Sequence, residues 1–375
     1  VKVAGRRAEV DLAAGARLSP PSMPRIARSF GTAASPVRLI GIEVRPVYRD
    51  LETGEEYPLV TRAVHRQLSR ALQQSAYEFA FHQTTHRPRH YQALGRRALV
   101  RASRRVDAAL ADISSAFDLL LLVSPVNSDQ AFRAFRRSKY GEAPRFTYRH
   151  LDVDPTALKR ALYSLPIDRV EDPTLEAIFR EKQREVSLQL DLLTDRGTPR
   201  FLPGSVALYG AIDPEMVTTA VDLLTRIPPS ETRSRRRSMA APEFAELASA
   251  EIERYRQTYP GLGATVHLRD DVTSLVVSRG SLLVGSQMRF AENRVEPLLQ
   301  HEIGTHVVTY WNGMAQPFRL LAAGLAGYDE LQEGLAVFAE YLVAGLTEDR
   351  LRTLAGRVVA ARAVSDGSAF VETFR

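Results

Sequence analysis

The 375-residue chain carries 50 basic and 44 acidic side chains, a net charge of +6, and no cysteine. Disulfides and thiolate metal sites are therefore excluded, any metal must be held by histidine and carboxylate, and the composition fits a reducing, cytoplasmic compartment. A hydrophobic fraction of 45% fits a globular chain with ample core, no apolar run approaches a membrane span, and the basic residues are nearly all arginine, with lysine only at Lys2, Lys139, Lys159 and Lys182.

Residues 1–36 are rich in Ala, Gly, Ser, Pro and Arg without periodicity, which predicts a disordered tail. Residues 37–227 read as a mainly helical region. Val64, Leu68, Leu72 and Tyr77 fall at helical spacing and predict a helix over 61–81; Leu99, Val106, Leu110, Ile113 and Phe117 predict another within 91–123. Between them His82, His86 and His90 recur every four residues, but Pro88 interrupts any helix that would align them and no carboxylate is interspersed, so they read as a loop or helix end. Asp154-Pro155 and Asp172-Pro173 place an acidic cap before proline at a first helical position. The second pair starts a long helix to about Thr194, and another helix is expected over 214–226. Residues 228–241, with Pro228-Pro229 and the arginine run 233–237, read as a basic linker. No aromatic interleaving or zinc-finger spacing accompanies that run, so no specific nucleic-acid partner is expected.

Residues 242–375 are expected to form a separate core. A helix over 242–257 gives way to short β-branched or aliphatic runs at 264–268, 274–278 and 281–285, the last two forming a hairpin across Arg279-Gly280. A helix over 292–311 follows, stopped by Asn312-Gly313. A connection containing Gly324 and Gly327 leads to a second helix ending near Gly345, and Thr347 caps a third. The chain stops as a further segment, 368–374, begins, so the core is expected to be C-terminally truncated. The whole reads as an α+β protein, mostly helical, with a small sheet beside the helices.

The helix over 292–311 carries His301-Glu302-Ile303-Gly304-Thr305-His306. On a regular helix, five residues turn through roughly 500°, so the two imidazoles would point about 140° apart, too divergent for one tetrahedral ion. Two readings stand open: core histidines on an ordinary helix, or a ligand pair brought together by a π-type turn, with Gly304 where the backbone would widen. Val295, Leu298, Leu299, Ile303, Val307 and Val308 make the helix apolar on most sides, so its polar residues would need partners. Glu333, on a helix apolar round nearly its whole circumference, is expected to be buried and could supply one. An arginine could instead neutralise it.

HEIGTH, with the downstream QEGLA segment and the intervening Asn312-Gly313, Gln316-Pro317 and Gly324-to-Asp329 residues, resembles the QEGLA-motif family. That family includes bacterial proteins labelled flavohemoglobin expression-modulating and the microtubule-associated tyrosine carboxypeptidase of animals. The resemblance implies a zincin-like core holding one zinc ion per chain, with His301, His306 and Glu333 as ligands and Glu302 as general base. It also implies a carboxypeptidase acting on a peptide or protein C-terminus through a metal-activated water. The alternative is a non-catalytic regulatory protein with a structural or vestigial site. Tyr310, Tyr328, Tyr341 and His267 are candidate donors to a developing oxyanion, and an arginine would hold the substrate carboxylate. No pattern indicates an oligomeric state.

Overall fold

Aspartate followed by proline begins helices at Asp154, Asp172 and Asp213 in the computed structural model, each carboxylate accepting from backbone N–H groups of the first turn. The structure describes residues 2–3, 6–7, 46–85, 87, 91, 99–170, 172–229 and 237–375. Nearly all of the expected tail 1–36, His86, His90 and the basic run except Arg237 lie outside the described residues. The chain divides into two compact units, residues 1–96 and 97–375.

The first unit contains the paired strands β1 (Lys2–Val3) and β2 (Arg6–Arg7) and helix α1 (Pro58–Gln83). The helix begins three residues before the expected start because Pro58 supplies its first position. His82 pairs with Glu78 one turn back at 3.2 Å, a helix-surface contact.

The second unit begins with helices α2 (Leu99–Ser114), α3 (Leu119–Val123), α4 (Ser128–Arg137), α5 (Pro155–Tyr163), α6 (Pro173–Asp195), α7 (Phe201–Tyr209) and α8 (Pro214–Arg226). The single helix expected within 91–123 is broken after Ser114. Asp118 interrupts it by capping α3, its side chain accepting from Leu121 N at 3.0 Å. Leu110, Leu162, Phe179 and Leu190 form the centre of this helical layer, and Leu320 from the far end of the chain packs among them.

After strand β3 (Ser238–Ala240) comes α9 (Ala241–Thr258), then β4 (Val266–Arg269), β5 (Leu275–Ser278), β6 (Ser281–Gly285) and β7 (Arg289–Ala291). β5 and β6 form the expected antiparallel hairpin, with positive φ at both Arg279 and Gly280 as its two-residue turn requires. β4 adds parallel to β6, giving the order β4-β6-β5 and leaving β5 as an edge strand. β3 and β7 pair separately. Phe244, Ile252, Leu282, Val284, Ile303 and Val307 form a second core between α9, the sheet and the helix that carries the histidines.

That helix runs as α10 (Glu292–Leu299), a π-helical segment Gln300–Val307 and α11 (Val308–Met314). Gly313 does not stop it. A Cβ there would lie 2.3 Å from the Leu321 carbonyl oxygen, so glycine is needed for close approach of the returning chain. α12 (Leu320–Ala323), α13 (Tyr328–Leu342), α14 (Glu348–Ser365) and α15 (Phe370–Phe374) complete the unit. Thr347 caps α14 by accepting from Arg350 N at 3.4 Å. Among the described residues, no helix is long and apolar enough to cross a membrane.

Candidate metal centre

The π-helical segment coincides with the histidine pair. Widening the turn adds about one residue per turn, so side chains five apart stack on one face. His301 and His306 accordingly lie with ring centroids 5.0 Å apart and planes at 65°. The Thr305 hydroxyl donates to the Gln300 carbonyl at 3.1 Å, a bond that also spans five residues. Gly304 has no unusual φ; what it supplies is space, since a Cβ would meet Gln300 Oε1 at 2.6 Å and the Tyr255 hydroxyl at 3.2 Å.

α13 crosses this face and brings Glu333 to both imidazoles. Its Oε2 is 3.8 Å from His301 Nε2 and its Oε1 is 3.5 Å from His306 Nε2. One donor atom from each of the three residues lies within 4.8 Å of the others, the group among the described residues able to hold a metal ion. Two imidazoles and one carboxylate fit a divalent cation with an open fourth position. The expectation that Glu333 is buried is corrected: its side chain is 60% exposed. α13 lies along the surface with Leu331, Phe338, Tyr341 and Leu342 exposed, while Ala336 and Glu340 face inward, so its apolar circumference does not enclose Glu333.

The carboxylate that is buried with arginines is Glu340, two turns further along the same helix and fully enclosed. Arg294 Nη2 donates to its Oε2 at 2.7 Å, and Arg350 donates to both oxygens at 2.8 and 3.0 Å. Burial works against its charge, but the hydrogen bonds from His301, Arg350 and Arg294 win, holding its pKa down at about 2. Ionised, it is only an acceptor, so His301 Nδ1 must donate to its Oε1 at 2.9 Å. That bond fixes the tautomer and leaves Nε2 as a lone pair facing Glu333. Gln332, next to Glu333, lines the first cleft with both histidines. Sequence reasoning missed Glu340. The available signal was its spacing of seven from Glu333, which puts two carboxylates on one helix face.

Burial disfavours the charged form of His301, yet the Glu340 hydrogen bond and the charges of Glu302, Glu333 and Glu340 raise its pKa. Burial and the charge of His301 lower that of His306, against the pull of Glu333 and Gln332. Glu302 is buried beside them; burial, with Glu333 and Glu340, pushes its pKa up to about 7 against His301 and Arg350.

Two clefts meet at these residues. The first, about 570 Å³, runs along the β5 edge from Leu275 to Val277 and is closed by Tyr310, Tyr328 and residues of α12. The second, about 890 Å³, lies between β7, α10, α13 and α14. Leu275, His301, Glu302 and Glu333 line both. Of the candidate oxyanion donors, Tyr310 and Tyr328 line the first cleft. Tyr341 is an exposed residue of α13, and His267 lies on β4 bonded to Thr265 Oγ1 at 2.8 Å; neither lines a cleft at the site.

A family model described as microtubule-associated tyrosine carboxypeptidase matches residues 133–375, which hold the histidine helix, α13 and both clefts except for Leu120 at one wall. No curated protein and no solved structure gives a match. With nearly two-thirds of its length covered by that model, the chain belongs to the microtubule-associated tyrosine carboxypeptidase family.

Proposed function

We propose that this chain is a zinc-dependent carboxypeptidase with a zincin-like core, hydrolysing the last peptide bond of a peptide or protein. The observation that carries the reading is the convergence of His301, His306 and Glu333 across a π-turn, with buried Glu302 next to the first ligand. His301, His306 and Glu333 would hold the ion. When bound, zinc would supply a Lewis acid that polarises the scissile carbonyl and acidifies a water.

The protein's own residues account for the rest. Glu302, buried beside the first ligand, accepts the proton of the attacking water and delivers it to the departing amine. The hydroxyls of Tyr310 and Tyr328, on the cleft wall, are the donors for the carbonyl oxygen as charge develops on it. The free edge of β5 offers backbone hydrogen bonds to an extended substrate laid along the first cleft. Glu340 keeps His301 in the tautomer that presents Nε2.

Digestion of a peptide library, read by mass spectrometry with and without a chelator, tests the reading. Loss of single C-terminal residues, abolished by the chelator and by Glu302→Gln, is the expected result. A zinc-loaded protein that cleaves nothing across the library would overturn it.

A further inference from the structure

A carboxypeptidase must recognise the end of a chain, which requires a cation free to meet a carboxylate at a fixed distance from the scissile bond. Four arginines, Arg289, Arg294, Arg350 and Arg357, line the second cleft. Three are committed elsewhere. Arg294 and Arg350 are bound to Glu340, and Arg289 donates to the side chain and carbonyl of Ser238 at 3.0 and 3.1 Å. Arg357 has no ion-pair or hydrogen-bond partner among the described residues. It follows Arg350 by seven residues and Leu354 by three on α14, so the three share one helix face, and all three line the cleft.

The charge of the second cleft points the same way. Glu340 is shared by two guanidinium groups, Glu333 is directed at the imidazoles and Glu302 is buried beside them, so none of the cleft's carboxylates pairs with Arg357. The remaining wall is apolar, with Met288, Leu298, Val337 and Leu354, a lining suited to a large apolar or aromatic side chain. The first cleft offers less. Its arginine, Arg279, lies in the hairpin turn beyond the end of β5, donates to the Ala116 carbonyl at 3.4 Å, and shares its cleft with Asp329 and Glu333.

We propose that the second cleft is the pocket for the last residue of the substrate, its side chain against Leu298, Val337 and Leu354 and its α-carboxylate on the Arg357 guanidinium. The upstream chain then lies along β5 in the first cleft, and the bond to be cut sits where the clefts meet. The assignment rests on the proposed peptidase reading and names the residue that makes the enzyme an exopeptidase.

The test uses one peptide with an aromatic last residue, as free acid and as C-terminal amide. Wild type should hydrolyse the acid with a kcat/KM about tenfold to a hundredfold above the amide, the range for hydrogen bonds to a charged group, expressed mainly in KM. Arg357→Ala should erase the preference by weakening only the acid, Arg357→Lys should restore part of it, and Arg279→Ala should leave it intact. Binding is read separately by fluorescence anisotropy of both labelled peptides on zinc-loaded Glu302→Gln protein. There the acid should bind more tightly by the same factor, and Arg357→Ala added to that background should remove the difference. If acid preference survives Arg357→Ala, disappears with Arg279→Ala, or is absent from binding while Arg357 is present, the pocket assignment is wrong. If nothing is hydrolysed but binding still discriminates through Arg357, the pocket stands and the peptidase reading falls.

Discussion

Replacing Glu340 by glutamine keeps the side chain's shape and removes a charge on which three partners depend. Arg294, Arg350 and His301 hold the carboxyl at about 2 against an ordinary 4.5, an interval corresponding to about 3 kcal/mol in favour of the ionised form. The side chain is fully buried and its arginines are only 20% and 15% exposed, so water screens little of this. A carboxylate with a depressed folded-state pKa stabilises the protein fully above its unfolded value, and the contribution is lost as pH falls from about 4.5 towards 2. Metal-stripped Glu340→Gln should therefore unfold about 3 kcal/mol more easily than wild type at pH 7, by urea titration. The gap should close below about pH 4 as wild type loses the same contribution. Losing the acceptor for His301 Nδ1 should also weaken zinc binding about 10- to 100-fold in a chelator competition. Equal stability of the two proteins at pH 7, together with equal zinc affinity, would refute the account of Glu340 as the anchor of the histidine.

Purified protein reconstituted with zinc should hold one ion per chain by elemental analysis, and His306→Ala or Glu333→Gln should not retain it. Glu302→Gln should keep the ion and its melting temperature yet lower turnover of C-terminally aromatic peptides by ~10²–10⁴-fold, whereas His301→Ala should lower both metal content and melting temperature. Asp107→Ala should cost about 2 kcal/mol or more in urea titration, since it leaves the Arg319 and Leu320 amides without their acceptor.

Spacing alone makes parts of this site legible in the sequence. A step of five positions from His301 to His306 demands a widened turn if the rings are to meet, and the π-helical segment lies on those residues. The hairpin at Arg279-Gly280 and the helices opened by Asp154 and Asp172 follow from local chemistry, with turn and cap written into neighbouring residues. What local chemistry could not give was exposure. The apolar residues round α13 suggested a buried helix, but a helix may carry apolar side chains at its surface, and Leu331, Phe338 and Leu342 do. The same limit concealed Glu340. Its partners Arg294 and Arg350 are 46 and 10 residues away, and nothing in the sequence selects them from so many arginines.

The wall of the first cleft depends on residues far upstream of the motif. The chain between α11 and α13 has little structure of its own beyond the single turn of α12, yet it supplies Leu321 to Gly324 of that wall. Two carboxylates from the helical layer hold it. Asp107 on α2, itself buried, accepts from Arg319 N at 2.7 Å and Leu320 N at 3.0 Å, satisfying amides at the start of α12 that have no partner within the helix. Glu185 on α6, paired with buried Lys182, accepts from Gly327 N at 2.7 Å, where α13 begins. With Leu320 also inserted among Leu110, Leu162 and Phe179, the connection is fixed at the start of α12 and again where α13 begins. The position of Tyr328 on the wall of the first cleft, and of Glu333 one and a half turns later, is thus set by the helical layer as much as by the helix that carries them. Asp107 lies before the matched segment 133–375 but inside the compact unit 97–375, so the unit that builds the site is longer than the stretch by which the family is recognised.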